Sequence, residues 1–151
     1  RKDRAYLAQI FSSIKKELVE SQKDIERVIP KQTALLDSLN RYLNDETKSL
    51  YDIILSADGI HGPSIKTNSW NAIANTKIEL VEYQKLSELA EVAERKEAVG
   101  NRLEKLTEFI FQNFENTSQQ KKEIARFMTY DIIAAEKRFN TYISEILAKE
   151  K

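Results

Sequence analysis

Three groups of residues in this chain are of types that could do chemistry: a lone histidine, a run of evenly spaced carboxylates and a concentration of aromatic rings. His61 is the only imidazole among 151 residues. A metalloprotease helix needs two His at i and i+4, and a di-iron bundle needs two Glu-x-x-His motifs, so both chemistries are excluded. A Ser-His-Asp triad would have to run through His61. Flanked by Gly59, Gly62 and Pro63, with Asp58 a weak potential partner, His61 reads most simply as a loop residue. Glu88, Glu91, Glu94 and Glu97 recur every three residues, interleaved with Arg95 and Lys96. Such a run could line a cation site, but it is more often a solvated helix face laced with weak ion pairs, which is the reading adopted. Asp131, beside Ile132, is either a buried acid or an edge residue paired to Lys or Arg, and the second is preferred.

The aromatics Phe109, Phe111, Phe114, Phe127, Tyr130, Phe139 and Tyr142 gather where the last two helices should meet. They could line a small-molecule cavity, although core packing is the default for rings at helical spacing. Asn116-Thr117-Ser118 matches a glycosylation acceptor and is read here as a turn. No phosphate-binding glycine loop and no nucleophile elbow appears. The absence of cysteine removes disulfides, thiolate metal sites and cysteine nucleophiles.

The elements that carry these residues follow from periodicity. With only three Gly and two Pro, and 41% hydrophobic against 32% charged residues, the composition favours a few long helices over many short strands. Equal numbers of basic and acidic residues, 24 of each, argue against nucleic acid as a partner. No apolar run approaches the length of a membrane span. Leu7, Phe11, Ile14, Leu18, Ser21, Ile25, Val28, Gln32, Leu35, Leu39 and Tyr42 alternate by four and three, the seam of a helix packed in coiled-coil-like fashion. Pro30 interrupts the backbone ladder but not that register, so one kinked helix is expected over residues 2–43, with Ser21 and Gln32 as polar seam positions. A short helix over 46–55 follows, with Leu50, Ile53 and Ile54 inward. Next comes the one real loop, 57–68, and a second short helix over 70–75, capped by Asn68 or Ser69, with Trp70, Ile73 and Ala74 facing the core. Ile78 and Leu80 read as an apolar connection. A long helix should span 82–114 with Leu86, Leu89, Val92, Val99, Leu103, Leu106, Ile110 and Phe114 inward; Gly100 within it implies either close helix approach or simple tolerance. Thr117 with Gln120 offers a capping box for a last helix over 119–148, whose stripe is Ile124, Met128, Ile132, Ala135, Phe139, Tyr142 and Ile146. The expected fold class is all-α: a single-domain antiparallel helical bundle with three long helices and two short helices.

Two stretches carry a family resemblance. The run Arg1-Lys2-Asp3-Arg4-Ala5-Tyr6-Leu7 with Ile14-Lys15-Lys16-Glu17-Leu18, and the central Asn68-Ser69-Trp70-Asn71-Ala72-Ile73 with Ile78-Glu79-Leu80-Val81, resemble the bacterial family known as domain of unknown function 6090. Thr76-Lys77-Ile78 stands where that family usually has Gly, a departure at the turn into the next helix. The resemblance covers most of the chain and carries no catalytic residue. It implies a membrane span just before Arg1, consistent with a chain that starts without an initiator Met, and a soluble helical domain on the periplasmic side of a bacterial inner membrane. The basic start does not by itself orient the chain.

Two functional readings stand together. The preferred one is a non-enzymatic, membrane-anchored helical domain, the 1–151 fragment lacking its anchor, that mediates protein or envelope interactions. The alternative is a ligand-sensing helical-bundle ectodomain with a pocket between helices, an analogy at fold level only. No enzyme activity, cofactor, metal or nucleic-acid partner is expected. The partner-contact residues suggested by the unusual loop are Asp58 and His61, backed by Trp70, with a plain connection between helices as the preferred alternative.

Overall fold

The computed structural model describes residues 2–76, 79 and 81–149; Arg1 and the expected connection through Ile78 and Leu80 lie outside the described residues. The expected all-helical architecture is what the chain forms. Helix α1 runs Lys2–Arg41, α2 Leu50–Ser56, α3 Asn68–Thr76, α4 Tyr83–Gln112 and α5 Gln119–Lys149. The three long helices make the bundle, with α5 packed against both α1 and α4, while α2 and α3 lie against α1.

Helix α1 is continuous through Pro30. Its buried residues are Ile14, Leu18, Ser21, Ile25, Val28, Gln32, Leu35 and Leu39, an unbroken alternation of four and three. Pro30 itself is exposed. The Glu26 carbonyl that loses its donor can therefore turn to water, and the apolar face pulls the helix through the defect. On α5 the matching seam is Lys122, Ala125, Thr129, Ile132, Glu136, Phe139, Ile143 and Ile146, spaced three and four. Cross-links along the two helices set an antiparallel register. Gln22 Nε2 donates to Asn140 O at 3.2 Å and Ser144 Oγ at 2.7 Å, Arg126 Nη1 to Asn40 Oδ1 at 3.0 Å, and Lys122 Nζ to Tyr42 O at 2.9 Å and Asp45 O at 2.7 Å. Helix α4 meets α5 antiparallel as well, through Lys149–Glu88 at 3.0 Å and Arg102–Asp131 at 2.9 Å.

The seam of α5 differs from expectation in its first half. Ile124 is exposed and Met128 only partly buried, while Lys122, Ala125 and Thr129 turn inward. The strict three–four alternation running back from Ile132 selects 129, 125 and 122, and the two polar side chains tolerate burial because each finds a backbone acceptor. Thr129 Oγ1 donates to Ala125 O at 2.8 Å. Lys122 caps the carbonyl end of α1, where a cation is favoured. Further along, Ile143 takes the buried place expected for Tyr142.

Helix ends also shift for identifiable reasons. Helix α2 starts at Leu50 instead of Glu46 because Ser49 forms a capping box with Asp52. At the head of α5 it is Ser118, not Thr117, whose hydroxyl accepts from the Lys121 N–H at 3.3 Å. Asn68 and Ser69 are already inside α3; the Ser69 N–H is satisfied from outside, by Glu17 Oε1 of α1 at 3.1 Å. Gly100 is a tolerated residue: a Cβ there would meet nothing within 4 Å. Close approach belongs to Gly62, where a Cβ would stand 2.7 Å from Leu103 Cδ1.

These placements predict two stabilising substitutions. Pro30→Ala restores a donor to an exposed helix interior and should add about 1–3 kcal/mol, and Gly100→Ala should add about 0.5–1 kcal/mol. Urea denaturation of each variant checks both; destabilisation by Pro30→Ala would mean that the proline's backbone constraint is required for packing.

Candidate functional site

The 57–69 segment is a strap laid along α1, antiparallel to it, and α1 holds it with side chains one helical turn apart. Ser69 N–H donates to Glu17. Lys66 N–H donates to Ser21 Oγ at 3.1 Å, and Lys66 Nζ pairs with Glu20 at 2.9 Å. Ser64 N–H donates to Asp24 Oδ2, and Gln32 Nε2 donates to His61 O at 2.9 Å. From the other side Lys96 Nζ of α4 reaches Thr67 Oγ1 at 3.2 Å. Ile65 and Thr67 are buried beneath. The hydrogen bond and charge of Lys66 hold the exposed Glu20 carboxyl below its usual range.

The three residues singled out from the sequence occupy distinct places on this strap. Asp58 is exposed at its start with φ 64°, next to Gly59 at φ 97°, a reversal in the left-handed region. His61 turns its ring back on that reversal, with Nε2 2.9 Å from the Asp58 carbonyl, so the imidazole stabilises the local turn. Trp70 is half-buried and packs on the cluster of Ile14, Leu18, Ile73 and Val81. Asp58 and His61 lie together; Trp70 belongs to the core of the neighbouring helix.

A residue the sequence reading passed over makes the most unusual environment. Glu136 is fully buried on the α5 seam. Its Oε2 accepts from Gln32 Nε2 at 2.8 Å, the same nitrogen that reaches His61 O. Among the described residues, its Oε1 and the Gln32 Oε1 have no partner. Burial pushes the Glu136 carboxyl up to about 7, against the opposing effect of the Gln32 hydrogen bond. The pair sits where two apolar clusters meet. One runs from Ile14 to Ile25 with Phe139, Ile143 and Ile146, and the other contains Leu35, Leu39, Leu106 and Ile132; Leu103 packs against both. The available signal was the polar interruption at Gln32. A glutamate in register with it on the facing helix is visible only once the helix pairing is known.

The remaining candidates resolve into surface features. Glu88, largely covered, pairs with Lys149, Glu91 lies 3.8 Å from Arg95, and Glu94 and Glu97 are exposed, so the run splits between a covered ion pair and a solvated face. Among the described residues no group of three His, Cys, Asp or Glu could hold a metal ion. Asp131 takes the edge position, paired to Arg102. The aromatics divide. Phe139 is core and Phe109, Phe114 and Tyr142 are partly buried, but Phe111, Phe127 and Tyr130 are 62%, 71% and 62% exposed, contrary to the packing expected of them. The positions of Phe127 and Tyr130 follow from the α5 seam: with 122, 125 and 129 inward, 127 and 130 point out. Phe127 stands on a ridge, with Leu36, Asn40, Glu123, Arg126 and Tyr130 on one side and Ala98, Asn101, Arg102 and Asp131 on the other.

Searches against family models, curated proteins and solved structures found no match to this chain.

Two outcomes are expected from the site. The folded state holds a proton on Glu136 that the unfolded chain releases near 4.5, so this group lowers stability as pH rises from 4.5 to about 7 and adds no further slope above. Glu136→Gln should remove that slope, matching the parent near pH 4.5 and exceeding it by about 3 kcal/mol at pH 8, as urea denaturation at the two pH values will report. Trp70→Ala should cost about 3 kcal/mol, the low end for a buried ring, because the indole is only half enclosed.

Proposed function

We propose that this chain is a non-enzymatic helical interaction domain, held at a bacterial inner membrane on its periplasmic side by a span preceding Arg1, and that it acts by contacting a protein partner. The anchoring and location rest on the family resemblance of the basic start and of the Asn68–Ile73 stretch. Among the described residues no helix is long and apolar enough to cross a membrane. The observation that carries the contact role is the outer face of α5, where Ile124, Phe127 and Tyr130 are exposed side by side in an otherwise charged surface. Large aromatics with Arg beside them, here Arg126, are the residue types that anchor protein interfaces. The ligand-sensing alternative has weaker support: the apolar space at the bundle end lined by Phe11, Leu18, Leu89 and Ile146 is only about 30 Å³, and the larger hollow between α4 and α5, about 460 Å³, is lined by Asn101, Arg102, Lys105 and Asp131 beside Phe127 and Met128, whereas small-molecule sites are mostly apolar.

The test is site-specific photo-cross-linking in cells expressing the full-length protein. A photoreactive residue at 127 should give a discrete protein adduct, and one at 94, on the charged face of α4, should not. Adducts from position 58 instead would move the contact to the strap, and none from either position would overturn the reading. Release of the intact full-length protein by carbonate washing would overturn the anchoring.

A further inference from the structure

A fully buried carboxyl with a neutral partner, one unpaired oxygen and no cation beside it is an expensive arrangement unless the carboxyl keeps its proton. In this fold the arrangement is tied to the strap through a single atom, because Gln32 Nε2 holds both Glu136 Oε2 and His61 O. We propose that Glu136 and Gln32 form a proton-operated latch for the 57–67 strap: with the carboxyl protonated the strap is docked, and when the proton passes to solvent the strap lifts and water reaches the carboxylate.

The strap is the cover that yields, for three reasons. It has no regular secondary structure over residues 60–67. Beyond Ala57 it buries only Ile65 and Thr67, whereas the α1–α5 seam buries eight residues on each helix. It is attached by separate side-chain contacts from Glu20, Ser21, Asp24 and Gln32, which can be lost without disturbing helix backbone bonds. Segments with few buried contacts open at lower free energy than the packed helices around them.

The other titratable and charged groups around the pair are engaged elsewhere or exposed. On the strap, the His61 carbonyl faces Gln32 while the ring faces the Asp58 carbonyl. On α1 the seam neighbours of Gln32 are Val28 and Leu35, and Glu26 is exposed toward Asn140. On α4 the facing positions are Val99 and Leu103, with Arg102 paired to Asp131 and Lys96 bonded to Thr67. On α5 itself Lys137 and Arg138 are exposed. Among the described residues none forms an ion pair with Glu136, so ionisation there is answered only by admitting water.

Residue-resolved amide exchange from pH 4.5 to 8.5, corrected for intrinsic exchange chemistry, tests the latch. The Ser64 and Lys66 amides, held by Asp24 and Ser21, are the reporters. The opening constant of the strap should rise by up to about tenfold per pH unit between 4.5 and about 7 and then level off, because the docked state keeps the proton to about 7. In Glu136→Gln, which keeps an acceptor for Gln32 and cannot ionise, the corrected opening constant should be flat. In His61→Asn, which keeps the backbone carbonyl, the parent profile should persist. A flat profile in the parent, an unchanged profile in Glu136→Gln, or loss of the profile in His61→Asn would each overturn the proposal. Should Glu136→Gln fail to fold, the ¹³C carboxyl titration of Glu136 in the unaltered protein decides. A midpoint near 7 that coincides with loss of strap protection supports the latch, and a midpoint near 4.5 overturns it.

Discussion

The antiparallel seam between α1 and α5 is the constraint on which the rest of the fold depends. Both helices bury side chains at strict three–four spacing, and the seam is interrupted by polar groups at Ser21, Gln32, Lys122, Thr129 and Glu136. A buried polar group left without a partner costs about 1–3 kcal/mol. The interruptions that bond across elements act as register marks: Lys122 on the Tyr42 and Asp45 carbonyls just past α1, Gln32 on Glu136, Ser21 on the strap; Thr129 bonds back within α5. Sliding α5 by one heptad would keep the apolar pattern nearly intact but strand the Lys122 ammonium and the Glu136 carboxyl. The apolar contacts supply the attraction between the helices, and the polar ones select a single alignment.

That alignment determines how the bundle closes along the rest of α1. Helix α2, the strap and α3 lie there in succession. Main-chain groups of the strap and the first turn of α3 are satisfied by α1 side chains rather than by strand or helix partners. This is how an irregular segment can lie against a core without leaving orphaned backbone donors. Gly62 completes the fit: a Cβ there would stand 2.7 Å from Leu103 Cδ1 of α4, so that side chain would have to shift to admit one. Leu103 in turn joins the two apolar clusters. The buried Gln32–Glu136 pair thus lies where helix seam, strap and both halves of the core meet.

The outer surface follows from the same alignment. Charged residues cover most of it in pairs such as Arg102–Asp131 and Lys149–Glu88, which contribute little to stability individually. The exposed rings of Phe127 and Tyr130 are a by-product of the polar seam at Lys122 and Thr129: turning those two inward rotates the rings of the same helix outward. A stretch of α5 that is polar where it is buried and aromatic where it is exposed departs from what folding alone favours. That departure supports the proposed contact role of this face.

By itself the sequence determined the helix count, the continuity of α1 through Pro30, the solvated character of Glu94 and Glu97 and the edge position of Asp131. Each of these is written in local periodicity or local charge, and periodicity is a property of one helix considered alone. It left Ser21 and Gln32 visible as polar interruptions without saying what they touch. Only the tertiary structure decided that Ile124 faces out and Lys122 in, that Phe111, Phe127 and Tyr130 are surface residues, that the close-packing glycine is Gly62, and that Glu136 is buried opposite Gln32. The physical reason is common to all four. Hydrophobicity ranks residues one at a time, whereas burial is set by what the partner element offers: a carbonyl end that accepts from an ammonium makes Lys122 a better seam position than Ile124 two places along, and an amide that donates to a carboxyl lets Glu136 lie on the seam.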